Sequence, residues 1–286
     1  MLSDRTDNAM FRRIWALAWP TVLYSMLELS LGVADLVMVR ELGYEATAAI
    51  GLTRQISFLV EASALAIATG VITLVSQGVG AGDRGQVHGV IHQSARLVFL
   101  LGVPVAFGGY LMSRPLLVAM QATAGTLTHG LPYLHIYFLG TLFLWGNVIA
   151  AAIFRGAGNA MMPLKLAAVV SFLNVLLNYT FIFGAGPLPP FGVAGAAIGT
   201  VAARAIGCGV YLVVLVRGIG YLRLGLRPLW GLDWTLISRM LKIGLPPALA
   251  GIARNGARVV YLALLGASAL GASMHAAAGV GLQVRL

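Results

Sequence analysis

The chain has 286 residues, of which 59% are hydrophobic and only 10% charged, with a net charge of +10 and a mean hydropathy of +0.89. Soluble domains run at about 45–50% apolar and about 25% charged, so a soluble enzyme, a disordered chain and a secreted disulfide scaffold are excluded. The basic surplus reads as loop bias in a membrane protein, with no nucleic-acid partner expected, and the long unbroken apolar runs do not match the roughly 10-residue alternating segments of a β-barrel. The expected fold class is an all-α polytopic membrane protein. A helix needs about 20 apolar residues to cross the bilayer. After a basic stretch, 1–13, with Arg5, Arg12 and Arg13, the first span is predicted over 14–39. It is too long for a signal-peptide core and lacks a convincing cleavage site. It carries Glu28 and Asp35, seven residues apart and therefore on one helical face. An intramembrane carboxyl is costly and marks function by default. Burial disfavours its charged form, so protonation responds to small changes in surroundings, as proton coupling requires. Alternatively, one of the two only satisfies a neighbouring helix or an arginine. Pro20, two turns before Glu28, is a candidate kink, functional or merely structural.

The second span is predicted over 48–76 and carries Arg54 and Glu61, again seven apart. They read either as a buried ion pair, together or with other helices, or as cavity lining. In the following loop, 77–87, Gly80-Ala81-Gly82 imitates a phosphate loop but lacks the Lys-Ser/Thr ending. The third span, 88–112, opens with His88 and His92. Their spacing can bind metal, but with no cysteine or third ligand nearby they read as an interfacial pair. The fourth span is predicted over 130–154 and the fifth over 163–183. Asn174 and Asn178 lie four apart on the fifth and share a face. Their amide oxygens can join a carboxylate around Na⁺, hydrogen-bond a protonated aspartate, or simply hold helices together, which is worth about 0.6–2 kcal/mol. The sixth span, 193–216, contains the single cysteine, Cys208, so no disulfide or metal framework is possible.

The longest connection, 217–242, holds Arg217, Arg223, Arg227, Arg239 and Lys242 together with Trp230 and Trp234. This mixture suits a cytoplasmic interfacial segment, and its position suits a linker between two halves. The seventh span is predicted over 243–264 and carries Arg254, Asn255 and Arg258. Two arginines one turn apart must face protein or water. They can pair with acids of the N-terminal half or bind an anionic or lipid-phosphate substrate, which guanidinium recognises bidentately. An eighth apolar run starts near Ala276 and meets the last residue, Leu286, before it could cross. Loop charge alternates along the chain. The set containing the N-terminus carries eleven Lys/Arg and the opposite set carries two, Arg40 and Arg114, which places the N-terminus in the cytoplasm.

An internal repeat is also visible. Leu42-Gly43-x4-Ala48-Ala49-x-Gly51-x3-Gln55 recurs as Leu270-Gly271-x4-Ala276-Ala277-x-Gly279-x3-Gln283, and Pro20 is echoed by Pro246-Pro247. Such repeats mark many transporter folds, with the substrate site between the halves. The segment from Asp35 to Gly43 (DLVMVRELG) is followed by Gln77-x-x-Gly80-Ala81-Gly82-Asp83-Arg84, then Arg155-Gly156-Ala157-Gly158 with Pro163. Asn174-x3-Asn178-Tyr179 and Phe191-Gly192-Val193-Ala194-Gly195-Ala196-Ala197 complete the series. In this order and spacing, these landmarks resemble the multidrug and toxic compound extrusion (MATE) transporters over essentially the whole chain.

The resemblance implies twelve helices in two six-helix lobes around a central cavity. It implies export of small organic or drug-like compounds from the cell across its inner (plasma) membrane, driven by H⁺ or Na⁺ antiport. No cofactor is expected beyond the coupling ion, and the full-length protein is expected to be a monomer in the bilayer. Asp35 matches the family's first-helix aspartate, whereas Glu28 is not clearly matched. Asn174 and Asn178 match its N-terminal-lobe cation site, so that Asp35, Asn174 and Asn178 are the expected ligands if the ion is Na⁺. Some members carry aspartate where this chain has Asn178, which leaves the ion open. Thr200 and the backbone of Ala196 resemble the sixth-helix contributors to that site. The expected organisation is a cytoplasmic N-terminus (1–13), a six-helix N-terminal lobe (14–216), a cytoplasmic linker (217–242) and the start of a second, repeated lobe (243–286). That amounts to seven full spans and a truncated eighth, a fragment holding the ion site but not the whole substrate cavity, and so inactive alone.

Two other classes compete. A lipid-linked glycan flippase of the same superfamily is favoured by the in-span arginines. An intramembrane aspartyl protease is suggested by Gly80-Ala81-Gly82-Asp83, Pro247-Ala248-Leu249 and Asp35. Its two aspartates must share a proton, yet Asp83 falls in a loop and Asp35 near the far end of the first span, much of the membrane away at about 1.5 Å per residue.

Overall fold

The computed structural model describes the backbone of residues 2–185, 188–225 and 231–266, and within these the side chains of residues 14–254. Asn255, Arg258, the eighth apolar run and the second copy of the repeat motif lie outside the residues whose side chains are described. The described residues form eight helices: α1 (Leu2–Arg40), α2 (Tyr44–Gly80), α3 (Arg84–Ala119), α4 (Ala124–Leu139), α5 (Thr141–Gly156), α6 (Met161–Phe183), α7 (Val193–Arg217) and α8 (Trp234–Gly266). Six are long and apolar enough to cross a membrane, and the bent pair α4 and α5 makes a seventh span if taken as one. The chain is a multi-pass helical membrane protein.

Local sequence ends these helices. Gly82 takes a positive φ of 69° after α2, and the Asp83 carboxylate then accepts from the Gln86 N–H at 2.9 Å to cap α3. Thr123 caps α4 by accepting from the Thr126 N–H at 3.3 Å, and Asp233 caps α8 by accepting from the Leu236 N–H at 3.0 Å. Side-chain oxygens thus satisfy helix N–H groups that have no partner inside the helix. Helix α8 therefore starts at Trp234, inside the stretch expected as linker.

The fourth span is not one straight helix. α4 and α5 meet at Gly140 with a 53° bend. Gly140 packs against Val201 of α7, and a Cβ there would collide with that side chain. The missing side chain lets α7 press into the break. α1, by contrast, runs unbroken through Pro20, which is buried. Just after it, the Thr21 hydroxyl donates to the Leu17 carbonyl at 2.8 Å and Ser25 donates to Thr21 at 3.1 Å.

α2 is the central helix and packs against α1, α3, α4, α5 and α8. Its buried face is rich in small residues, among them Ala62, Ala64, Ala66, Ala68 and Gly70. Small residues let membrane helices approach closely. At Gly70 the backbone meets the Met240 carbonyl, and at Gly244 α8 meets the Ala66 carbonyl, so neither position has room for a Cβ. Large apolar side chains such as Val33, Phe107 and Phe172 point outward, at 61%, 65% and 71% exposure. That surface suits lipid rather than water.

Candidate functional site

The helices enclose a cavity of about 800 Å³ between α1, α2, α4 and α7. Its wall carries Glu28 and Asp35 from α1, Arg54 and Glu61 from α2, Tyr133 and Tyr137 from α4, and Ala196, Thr200 and Arg204 from α7. Three carboxyls and two guanidiniums therefore face one space inside a membrane protein, where ionisable groups are rare.

Asp35 stands at one end of a hydrogen-bonded chain. Asn178 Nδ2 donates to Asp35 Oδ1 at 2.7 Å and to Asn174 Oδ1 at 2.9 Å. Asn174 Nδ2 then donates to Thr200 Oγ1 at 3.1 Å. Both asparagines are fully buried. The spacing of four on α6 stacks the two amides one turn apart, and α7 brings Thr200 alongside. The approach depends on Gly199, because a Cβ there would collide with Asn178 Oδ1 and the Asn178 backbone. That same Oδ1 is buried and accepts no hydrogen bond. An unsatisfied buried acceptor costs about 1–3 kcal/mol. Ala196, one turn before Thr200 in the unbroken α7, is buried beside the cluster.

Glu28 is placed otherwise. Arg204 grips it with both terminal nitrogens, Nη1 donating to Oε1 at 3.0 Å and Nη2 pairing with Oε2. The two side chains form a bidentate ion pair. Of the two sequence readings for the α1 acids, partnership with an arginine is the one in which the structure places Glu28. The Arg204 carbonyl also accepts from Asn147 Nδ2 of α5, which donates in addition to the Phe143 carbonyl at 2.9 Å. Arg204 and Asn147 join the site through the packing of α5 and α7. Their signal in the sequence was polarity in the middle of an apolar run.

Glu61 and Arg54 do not pair with each other. Glu61 accepts from the Tyr137 hydroxyl at 3.1 Å, and Arg54 Nη1 donates to the Gly32 carbonyl on α1 at 3.2 Å. Both line the cavity. Arg254 lies on an exposed part of α8, apart from the cavity wall. Among the described residues, no group of three or more His, Cys, Asp or Glu could hold a metal ion. Asp83 is occupied as the cap of α3. It is separated from the Asp35 end of the bundle by the 37-residue α2, about 55 Å of helix at 1.5 Å per residue. No aspartyl dyad is formed by this pair.

The model of the MatE family matches residues 20–180. The chain is 25% identical over 281 residues to a probable multidrug resistance protein NorM of Thermotoga maritima, covering 94% of this chain and 57% of that protein. A protein named FAD transporter from Shewanella oneidensis is 25% identical over 253 residues, covering 86% of this chain and 54% of its own length. Among solved structures, an outward-facing multidrug resistance MATE transporter of the MOP superfamily superposes with a TM-score of 0.85 at 24% identity. That match covers 96% of this chain and 59% of the solved one. The chain thus spans a little over half the length of the relatives it matches.

Proposed function

Because the chain belongs to the MatE family, we propose that it forms the cation-coupling half of a secondary active efflux transporter exporting small organic compounds in exchange for H⁺ or Na⁺. The observation that carries this reading is the buried chain Asp35–Asn178–Asn174–Thr200 with its unsatisfied Asn178 oxygen. Asn178 serves Asp35 as a donor. A half-turn of the Asn178 amide would bring Oδ1 to face Asp35, adding an amide oxygen to the carboxylate as a ligand for a hard cation such as Na⁺. A proton placed on Asp35 changes the same contact, since a carboxylic acid seeks an acceptor where the carboxylate sought a donor. Either ion therefore alters how α1 is held against α6, and through Thr200 against α7.

Such a coupling works only if the ion binds one conformational state better than the other. The ion must favour the state that has released substrate. Alternating access follows from movement of one half of the transporter against the other. The cavity, with three carboxyls against two guanidiniums, suits a substrate that is neutral or carries a positive charge. The two guanidiniums are already engaged by Glu28 and by the Gly32 carbonyl, which weighs against an anionic, lipid-linked glycan as the substrate.

The test is gradient-driven efflux from liposomes, with H⁺ and Na⁺ gradients applied separately, on the chain and on a version extended to the relatives' length. In the extended version one gradient should drive efflux, and Asp35→Asn should abolish the drive. Undiminished coupled efflux in Asp35→Asn would refute the proposal.

A further inference from the structure

A second cavity, of about 480 Å³, opens at the other end of the bundle, where α2 ends and α3 begins. One stripe of α3 lines it: Gly85, His88, Gly89, His92 and Arg96, with Gln93 beside them. The segment after α7 closes it with Arg223 and Gly225. The charge bias of the loops assigns this end to the cytoplasm.

The chemistry of the wall is one-sided. Two guanidiniums and two imidazoles face the space, and among the described residues no carboxylate lines it. The nearby acids cap helices, Asp83 at the pocket's edge beside Gly85 accepting from the Gln86 N–H, and Asp233 accepting from the Leu236 N–H. The α3 N-terminus adds the positive end of a helix. Glycines at 85, 89 and 225 leave the backbone uncovered.

The pocket is also built rather than merely basic. Gln93 is 5% exposed. Its Nε2 donates to the Gly231 carbonyl at 3.1 Å, a carbonyl that Arg96 Nη1 also reaches, while its Oε1 is buried with no hydrogen bond. A plain solvated basic face would not bury an acceptor. The site therefore offers two guanidiniums and two imidazoles as donors for an anion, on a wall held in place by the buried Gln93. Trp234, at the start of α8 and 64% exposed, lies just past the Gly231 anchor, and tryptophan favours the level of lipid headgroups.

We propose that this pocket binds an anionic phosphate ester, the headgroup chemistry of an acidic phospholipid such as phosphatidylglycerol. Basic pockets between helices at the cytoplasmic face take up such headgroups. An occupant would tie the segment after α7 to α3.

The experiment titrates the purified chain in uncharged detergent with phosphatidylglycerol, phosphatidylcholine of the same acyl chains, and glycerol 3-phosphate. Bound molecules are counted by native mass spectrometry. Phosphatidylglycerol should bind roughly tenfold tighter than phosphatidylcholine, and His92→Gln with Arg223→Gln should remove that preference. Arg223→Gln alone alters an exposed side chain and should weaken binding while leaving helicity unchanged. Binding of glycerol 3-phosphate alone, lost in the same variants, would keep the pocket chemistry and make the ligand a soluble phosphate ester. Equal binding of both lipids, or a preference that survives in the variants, would overturn the proposal.

Discussion

Asn178 gives two donated hydrogen bonds and receives none at its oxygen, and this imbalance is where the proposed site can be tuned. Asn178→Asp places a second carboxylate beside Asp35, at the distance now spanned by a 2.7 Å hydrogen bond. Two carboxylates that close share a proton or a cation more readily than they share nothing. We expect Asn178→Asp to bind Na⁺ at least tenfold tighter in an isothermal titration, and unchanged affinity would remove Asn178 from the ion site. Glu28 calls for a different experiment. Glu28→Gln strands the Arg204 charge and should cost about 1–2 kcal/mol. That lies below the roughly 3–5 kcal/mol of a fully buried pair, because the side chains keep 14% and 29% exposure. Glu28→Gln combined with Arg204→Met should recover most of the loss in thermal unfolding, and a double variant no better than the single one would contradict the pairing. Asp35, Asn174 and Asn178 were legible in the sequence because polar residues at helical spacing stand out inside apolar runs. The Glu28–Arg204 pair was not, because its members are 176 residues apart. Several in-span arginines were equally eligible, and only the packing of α7 against α1 selects one.

At the scale of helices, the contact of α2 with α8 is the tightest test of packing. Gly70→Val drives a side chain into the Met240 carbonyl, and overpacking of this kind costs about 1–3 kcal/mol. In a Cys208→Ser background, oxidative cross-linking between cysteines placed on the facing surfaces of α2 and α8 should slow in Gly70→Val. An unchanged rate would mean that the two helices do not meet there. The spans themselves were readable from apolar length, since lipid demands continuous helix whatever the neighbours. The break at Gly140 was not, because a lone glycine in an apolar run does not announce a bend. At the bend Gly140 packs against Val201, a contact made by a later helix. The start of α8 at Trp234 was missed for a related reason. Ser238, Arg239 and Lys242 lower the hydropathy of its first turns, while the Asp233 cap that begins the helix carries no apolar signal.

For the whole molecule, the charge bias makes a directional statement. The α2–α3 turn and the segment after α7 should face the cytoplasm, and the α3–α4 turn should face outward. An impermeant thiol reagent applied to intact cells should label Ala124→Cys, and should reach Ala81→Cys only after lysis, both in Cys208→Ser. The opposite pattern would invert the topology. The Glu28–Arg204 pair has a further consequence, for biogenesis. Chains are made from the N-terminus at about 5–20 residues per second. With 176 residues between the partners, α1 waits roughly 10–35 s for the guanidinium that will hold its carboxyl. During that interval Glu28 must keep to water or borrow another partner, so α1 enters the bilayer as a provisional span. Its final seating is a late event, completed when α7 arrives, and a ribosome stalled before residue 204 should leave α1 easier to extract than one stalled after α7.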